Sequence, residues 1–250
     1  MAQNKLKFCL VVDVEGFSMF NDLHPRWKLW QKFKFKINYI IKDIKYDKNG
    51  FYKLYDFCVS EKFPVSFMLV GSKFKPLSYE KFVDWGYHTL NHKRLTILND
   101  EELEKEVKNI YNCKSFSAPM WMIENGEKPK RIFNILKKEG YGIAMYRGTD
   151  KEIIEEKHFL KVLPVKEKYG LKIVNTSNVF HGGFSKERIN LIKKDILKNI
   201  NHDRIYCIAT HDFANKNMKN FKEIIYFAKK LKGEGKLKII NLKELVYGNK

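Results

Sequence analysis

Two histidines four positions apart, His88 and His92, are the residues of this chain whose types and spacing point most directly to chemistry. On a helix, side chains at positions i and i+4 lie on one face, so both imidazoles would reach one ion. Two neutral nitrogen donors suit zinc, iron or cobalt better than magnesium or calcium. The alternative is that one histidine packs or caps while the other is exposed, and the pair alone does not decide between these interpretations.

Two carboxylates near the N-terminus are further candidates. The apolar run over 7–12 is typical of a buried parallel strand, and it leads into Asp13-Val14-Glu15-Gly16. Because residues i and i+2 of an extended chain point the same way, we expect Asp13 and Glu15 on one side of the strand's carboxyl end. With the two histidines, Glu15 would complete a metal site that keeps open positions. The alternative is a strand end closed by solvated acids.

A further histidine follows a second apolar run. Residues 204–210 predict a buried strand, and His211-Asp212 comes directly after it. Histidine titrates near neutral pH, so His211 is a candidate general acid. The alternative is a structural histidine whose ring nitrogens are satisfied by the fold.

These motifs stand in a characteristic order: Asp13-x-Glu15 after a strand, Gly86-Tyr-His-Thr-Leu-Asn-His92, Ser117-Ala-Pro119, and Thr210-His-Asp212 after a strand. In order and approximate spacing the chain resembles the polysaccharide deacetylase (NodB-homology) superfamily, also called carbohydrate esterase family four. The resemblance runs from Val11 to Phe213. Its specific part is the block with the two histidines, together with the helix-like segment that follows it.

The resemblance implies a metal-dependent deacetylase and assigns the roles in its chemistry. Asp13 matches the catalytic base, and His211 matches the general acid. The backbone N–H of Met120, which follows Pro119, matches the group that would hold the oxyanion of the reaction.

The same resemblance implies a divalent metal cofactor, with zinc as the favoured ion. His88 and His92 match the two metal-binding histidines. The family usually has two adjacent aspartates in its first motif, and the second is a ligand. Here Val14 stands at that place, so we expect the longer side chain of Glu15 to be the third ligand.

The chain departs from the family at Ser117, where relatives have an arginine that supports the base. Its loss removes a positive charge that would hold Asp13 ionised. The aspartate-tryptophan motif that normally follows is also not evident over 140–148. Either Arg94 or Arg147 replaces the missing charge, or the chemistry is attenuated.

Apolar runs and turn residues predict alternating strands and helices, which favours a parallel sheet built from βα units. The predicted strands are 7–13, 65–71, 86–90, 114–118, 141–146, 160–165, 171–176, 204–210 and 236–241. The predicted helices are 50–62, 77–84, 100–112, 129–139, 186–200 and 217–232, with Ser185 as a helix N-cap. The resemblance implies an α/β fold in which the sheet closes as a distorted, TIM-like (β/α) barrel of about seven parallel strands. A length of 250 residues and 44% hydrophobic composition fit one catalytic domain over 1–250.

The four cysteines are scattered through apolar segments and predict reduced core thiols rather than a disulfide framework. The apolar run after the basic N-terminus is too short for an export signal, and no window reaches the length of a membrane span. We therefore expect a cytoplasmic protein with an intracellular substrate.

The net charge of +19 raises the question of an anionic partner. Of the 48 basic residues only six are arginine, and the lysines are spread along the chain, so specific nucleic-acid binding is not expected. The segment 25–36 alternates lysine with tryptophan and phenylalanine. It would suit peripheral contact with an anionic membrane or a diphosphate-linked substrate, or else a surface helix with a buried aromatic face.

The expected function is thus hydrolysis of the N-acetyl group of a nucleotide-linked or lipid-linked sugar or glycan. Two alternatives remain: another hydrolase of C–N bonds that acts on a non-sugar amide, and a glycan-binding protein that keeps the metal without turnover.

Overall fold

The computed structural model describes residues 5–16, 49–119, 123, 129–146, 162–180, 185–215 and 218–247. These residues form one sheet of ten strands with helices packed against it. The strands are β1 (Leu6–Val14), β2 (Val65–Leu69), β3 (Val83–Tyr87), β4 (Ser115–Ser117), β5 (Ile143–Tyr146), β6 (Lys166–Lys168), β7 (Leu171–Asn175), β8 (Asn178–Phe180), β9 (Ile205–His211) and β10 (Leu237–Ile240). The helices are α1 (Asn49–Ser60), α2 (Asp100–Val107), α3 (Pro129–Lys138), α4 (Lys186–Asn199), α5 (Met218–Gly233) and α6 (Glu244–Tyr247), and short 3-10 turns cover Leu95–Ile97 and Asp212–Asn215.

The sheet is almost entirely parallel. Its strand order is β6-β7-β5-β4-β3-β2-β1-β9-β8, and β10 pairs with the first half of β1. The exception is β6, which runs antiparallel to β7. The predicted α/β class with a mostly parallel sheet is confirmed.

Contacts at the ends of the sheet show that it curls. Only Thr176 and Ser177 join β7 to β8, although β7 pairs with β5 and β8 pairs with β9. The Ser177 N–H donates to the Cys207 carbonyl at 2.8 Å, which ties this connection to β9. Across the interior, the sulfur atoms of Cys207 in β9 and Met145 in β5 lie 3.7 Å apart. The two ends of the sheet thus approach each other, while its closure as a distorted barrel of about seven parallel strands stays a prediction.

Inside and outside positions alternate along β1, as the two-residue period of a strand demands. In β1, Cys9 and Val11 belong to the interior cluster, whereas Phe8 and Leu10 pack outside with side chains of α1, α4 and α5. The inward side of β1 therefore ends in Asp13.

Strand β3 follows the same rule. Asp84 faces the interior, where its carboxylate accepts hydrogen bonds from the hydroxyls of Ser66 at 3.0 Å and Ser115 at 2.7 Å. Gly86 is the next inward position, and His88 continues this row just beyond the strand. The alternation thus delivers both Asp13 and His88 to the same end of the interior.

The predicted helix over 77–84 is wrong. Residues 77–80 form no regular element, and the strand begins at Val83, so the strand predicted over 86–90 lies instead at Val83–Tyr87. The physical reason is the alternation of faces. Val83 and Trp85 pack in the outer core while Asp84 turns inward, an arrangement that a strand provides and a helix does not.

The predicted helix over 100–112 starts correctly and ends early. Asn99 caps α2 by accepting from the Glu102 N–H at 2.9 Å, and the Glu102 carboxylate accepts from the Asn99 N–H at 3.2 Å. The chain leaves the helix at Lys108, with φ −54° and ψ 122°. Ser185 caps α4 as predicted, by accepting from the Arg188 N–H at 3.3 Å.

Other predictions fail where the segments are short. Residues 162–165 form no strand, and the rest of the strand predicted over 160–165 lies outside the described residues. The sequence does not predict β6 and β8, because three residues are too few to show a pattern.

All four cysteines are buried free thiols, as predicted. Within the described residues, no helix combines the length and apolar character needed to cross a membrane. The aromatic and basic segment 25–36 lies outside the described residues.

Gly86 supplies a stability test of the interior below the site. A Cβ added there would lie 2.2 Å from the Met68 sulfur and 3.0 Å from the Ser115 carbonyl oxygen. We expect Gly86→Ala to lower the free energy of unfolding by about 1–3 kcal/mol through overpacking, as measured by urea denaturation. Gly233→Ala is the control, since nothing lies within 4 Å of a Cβ at that helical position. Equal stability of the two variants would contradict the packing described for the interior.

Candidate metal centre

The candidate site lies at the carboxyl ends of β1, β3 and β9. Asp13 of β1 pairs in register with His211 of β9, so these two side chains start from neighbouring positions. Asp13 and Glu15 are fully buried, and His88, His92 and His211 are 1%, 4% and 8% exposed. The structure therefore brings together five residues that the sequence singled out.

The histidine loop, His88–His92, is not helical. Thr89 and His92 adopt left-handed backbone conformations, with φ of 64° and 61°. The His88 N–H donates to the carbonyl of Leu69, the last residue of β2, at 2.8 Å. This hydrogen bond ties the start of the loop to the neighbouring strand. The helical geometry considered for this spacing is wrong, yet the left-handed residues turn the chain back and bring the two imidazole rings within 4.8 Å of each other.

Glu15, His88 and His92 form a compact set of donor atoms. One atom from each of the three side chains lies within 4.8 Å of the other two. The Glu15 Oε2 atom is 2.6 Å from Nε2 of His92 and 3.4 Å from Nε2 of His88. Two imidazoles and one carboxylate form a donor set that fits zinc, iron or cobalt.

The ring of His88 is held in a defined tautomer. Its Nδ1 lies 2.8 Å from the carbonyl oxygen of Ser117, and because a carbonyl can only accept, Nδ1 carries the proton. The other ring nitrogen, Nε2, faces Glu15 and lies 3.4 Å from its Oε2 atom. A metal-binding histidine whose other nitrogen donates to a backbone carbonyl has this arrangement.

Electrostatics favour a positive charge between these side chains. Burial acts to raise the pKa of Glu15, but the imidazoles of His92, His211 and His88 overcome it and hold that pKa well below its usual range. Burial acts to lower the pKa of His88, but Asp13 and Glu15 outweigh it and raise that pKa. The carboxylates are thus arranged to stabilise a cation in this place.

His211 lies beside the donor set. Its Nε2 is 3.5 Å from the Oε1 atom of Glu15. The other two histidines lie near the second carboxylate oxygen, Oε2. The ring stacks on Phe213, with centroids 5.0 Å apart. This contact fixes the plane of the imidazole.

An uncharged residue, Ser117, stands where the polysaccharide deacetylase family, which this chain resembles, has an arginine. Ser117 is fully buried and follows the inward alternation of β4. Arg94 is nine-tenths buried, and its Nε donates to the Thr96 hydroxyl at 3.0 Å. Pro119 is buried, whereas Met120 and Arg147 lie outside the described residues. Replacement of the missing charge by Arg94 or Arg147 stays a prediction.

Two buried carboxylates without a role predicted from the sequence contact the segments that carry the candidate ligands. Glu106 of α2 accepts from the N–H of Asn91, and Asp212 accepts from the N–H groups of Glu15 and Gly16. A signal for Glu106 was present, because it lies on the apolar side of α2 that also carries Leu103. An acid in such a place needs a buried partner.

The sequence matches no protein-family model and no curated protein. Among solved structures, the Puue allantoinase is similar, with a TM-score of 0.60, 7% identity, and coverage of 98% of this chain and 90% of that one. The Xyl-CE4 domain of a multidomain xylanase from the hindgut metagenome of Trinervitermes trinervoides has a TM-score of 0.50 and 12% identity, covering 96% of this chain and 89% of that one. A GH57-type branching enzyme from the hyperthermophilic archaeon Pyrococcus horikoshii has a TM-score of 0.55 and 10% identity, covering 98% of this chain and 70% of that one. At these identities the likeness shows a shared fold.

The donor set predicts the effect of removing either histidine. His88→Ala and His92→Ala should each abolish stoichiometric zinc binding, because a ligand is lost, while far-UV circular dichroism stays that of the parent. Metal content by mass spectrometry after dialysis measures the effect. His202→Ala is the control, since this histidine is exposed in the turn before β9. If both site variants keep a full equivalent of zinc, the assigned site is wrong.

Proposed function

We propose that this chain is a metal-dependent deacetylase of the polysaccharide deacetylase superfamily, with residues 1–250 acting as one catalytic domain. The observation that carries the proposal is the buried donor set of Glu15, His88 and His92, with Asp13 and His211 beside it. The motif order in the sequence and the shared fold with a Xyl-CE4 domain support it. The bond cleaved would be the C–N bond of an N-acetyl group.

Glu15, His88 and His92 would hold the divalent ion, with zinc favoured by the donor types. When bound, such an ion lowers the pKa of a water molecule and polarises a carbonyl group. The Ser117 carbonyl fixes the ring of His88, and the Asp212 carboxylate accepts from the backbone N–H of Glu15. The chain therefore supplies ligands whose orientation is set before substrate arrives.

Asp13 would act as the base. It is the last inward position of β1, and its Oδ1 lies 3.8 Å from Nδ1 of His88, outside the donor set itself. As the oxygen of water bonds to the acetyl carbon, one proton passes from that water to Asp13. The backbone N–H of Met120, after the buried Pro119, is proposed from the family resemblance to donate to the resulting oxyanion.

His211 would act as the acid. Its ring is oriented by Phe213 and starts from the position paired with Asp13. When the C–N bond breaks, the protonated imidazole gives its proton to the departing nitrogen. The products are acetate and a free amine on the sugar, and the base and the acid recover their protonation states by exchange with solvent.

The proposed substrate is an intracellular N-acetylated sugar that is nucleotide-linked or lipid-linked. Four buried free thiols are consistent with a reducing compartment. A second candidate is hydrolysis of a small non-sugar amide, because the fold is also that of the Puue allantoinase, whose name refers to allantoin rather than to a sugar.

An acetate-release assay tests the proposal. Zinc-loaded protein is incubated with nucleotide-linked and lipid-linked N-acetylhexosamines, and acetate is quantified by a coupled assay. Acetate from a sugar substrate supports the proposal. Release of amine from small amides, without acetate from sugars, selects the second candidate. Stoichiometric metal with no turnover on either panel would leave a glycan-binding protein and overturn the enzymatic proposal.

The two acids of the first motif should separate in their effects. Glu15→Gln should weaken zinc binding, because it removes the charged ligand. Asp13→Asn should keep one equivalent of zinc and lose turnover, because the amide cannot accept the proton. Metal content and acetate release, measured on both variants, give the comparison. The reverse pattern, with zinc lost from Asp13→Asn and kept by Glu15→Gln, would exchange the two roles.

Replacement of His211 tests the proposed acid. His211→Ala should lower kcat by roughly 10²–10⁴, the usual effect of losing a positioned general acid. Its zinc content should stay at the parent level, with His202→Ala as the unaffected control. Loss of zinc from His211→Ala would make this residue a ligand, and unchanged kcat would exclude it from the chemistry.

A further inference from the structure

Two buried carboxylates lie outside the donor set and outside the proposed proton transfers. Glu106 is 2% exposed and Asp212 is 1% exposed. Each contacts the backbone of a segment that carries a candidate ligand: the histidine loop in one case, and the turn after β1 in the other. An acid buried in this way needs hydrogen-bond donors, and here the donors come from the ligand-bearing segments.

Glu106 holds the histidine loop from α2. Its Oε2 accepts from the Asn91 N–H and its Oε1 from the Asn91 side-chain amide, both at 2.8 Å. Its own carbonyl accepts from the Leu90 N–H at 2.8 Å. The residue next to Asn91 is His92, whose left-handed backbone is unfavourable for a residue with a side chain. The bonds from Glu106 therefore fix the part of the loop that the local chain does not favour by itself.

Asp212, the first residue of the 3-10 turn after β9, holds the turn after β1. Its Oδ1 accepts from the Glu15 N–H at 3.4 Å and its Oδ2 from the Gly16 N–H at 3.3 Å. Asp212 directly follows His211 in the chain, so one segment supplies both the proposed acid and the group that fixes the backbone of Glu15. The distance between His211 and Glu15 is thus set by a short connection: the peptide bond from His211 to Asp212 and the hydrogen bond from the Glu15 N–H to Asp212.

We propose that Glu106 and Asp212 are positioning residues that hold His92 and Glu15 in the metal-binding arrangement before the ion arrives. The proposal rests on the metal site put forward above. Both carboxylates offer two accepting oxygens to two N–H donors, so an amide in either place would turn an NH₂ group toward a donor. Without the bonds, binding an ion would also have to order the ligand-bearing segment, which lowers affinity.

The test uses the isosteric variants Glu106→Gln and Asp212→Asn. We expect each to weaken binding of cobalt(II) and zinc by about 10–100-fold, the usual cost of losing a group that orients a ligand. Chelator competition gives the dissociation constants. At saturating cobalt(II) the visible absorption spectrum should match the parent, because the three ligands remain, whereas Glu15→Gln should change the spectrum.

Glu139→Gln is the matched control. Glu139 accepts from the Asn109 N–H at 2.9 Å, so it also fixes a loop through a backbone donor, but that loop carries no ligand. Its metal affinity should equal the parent's even if Tm falls. A loss of affinity that follows Tm across all three variants would reduce Glu106 and Asp212 to general stability and overturn the proposal.

A milder variant keeps the test decisive if Glu106→Gln does not fold. Asn91→Ala removes one of the two bonds to Glu106 from a partly buried position, and it should weaken metal binding in the same direction by a smaller factor. Unchanged affinity in Asn91→Ala and Asp212→Asn overturns the inference. The readout is metal affinity, so a protein that binds metal but releases no acetate would contradict the proposed function and leave this inference standing.

Discussion

The carboxylate of Glu15 is the charge around which this end of the sheet is organised. Removing an ionised carboxylate from water costs several kcal/mol unless partners replace the lost hydration. Here His92, His88 and His211 lie 2.6, 3.4 and 3.5 Å from its oxygens. The partners come from the loop after β3 and from the last residue of β9, so both segments must be fixed for the charge to be buried. A divalent ion would meet the same electrostatic demand.

Strand alternation explains why these side chains converge. The inward rows of β1, β3 and β9 end in Asp13, His88 and His211, and β2 lies between β1 and β3. At this level β2 contributes Met68, which packs over the bare Cα of Gly86. Met68 therefore gives the charged groups an apolar neighbour away from water, where electrostatic interactions are stronger than in water. The alternation of side chains along the strands therefore determines both the packing of the interior and the position of the candidate site residues.

The sequence predicts the parts of this site that depend on local pattern. Continuous apolar runs identify β1 and β9 together with the polar residues at their ends, and the histidine spacing identifies His88 and His92. The non-helical backbone of that loop could not be predicted, because bonds from distant residues such as Glu106 stabilise it. For the same reason Asp212 was recognised as part of a motif while its role was missed, since its partners lie 196 and 197 positions away. The helix predicted over 77–84 fails because a buried polar residue, Asp84, obscures the strand period.

Anomalous X-ray scattering at the zinc absorption edge, from crystals of the zinc-loaded protein, tests the central claim most directly. We expect one strong peak within roughly 2.0–2.2 Å of Nε2 of His88, Nε2 of His92 and a carboxylate oxygen of Glu15. A peak bound by Asp13 in place of Glu15, or a zinc ion that leaves His92 uncoordinated, would contradict it.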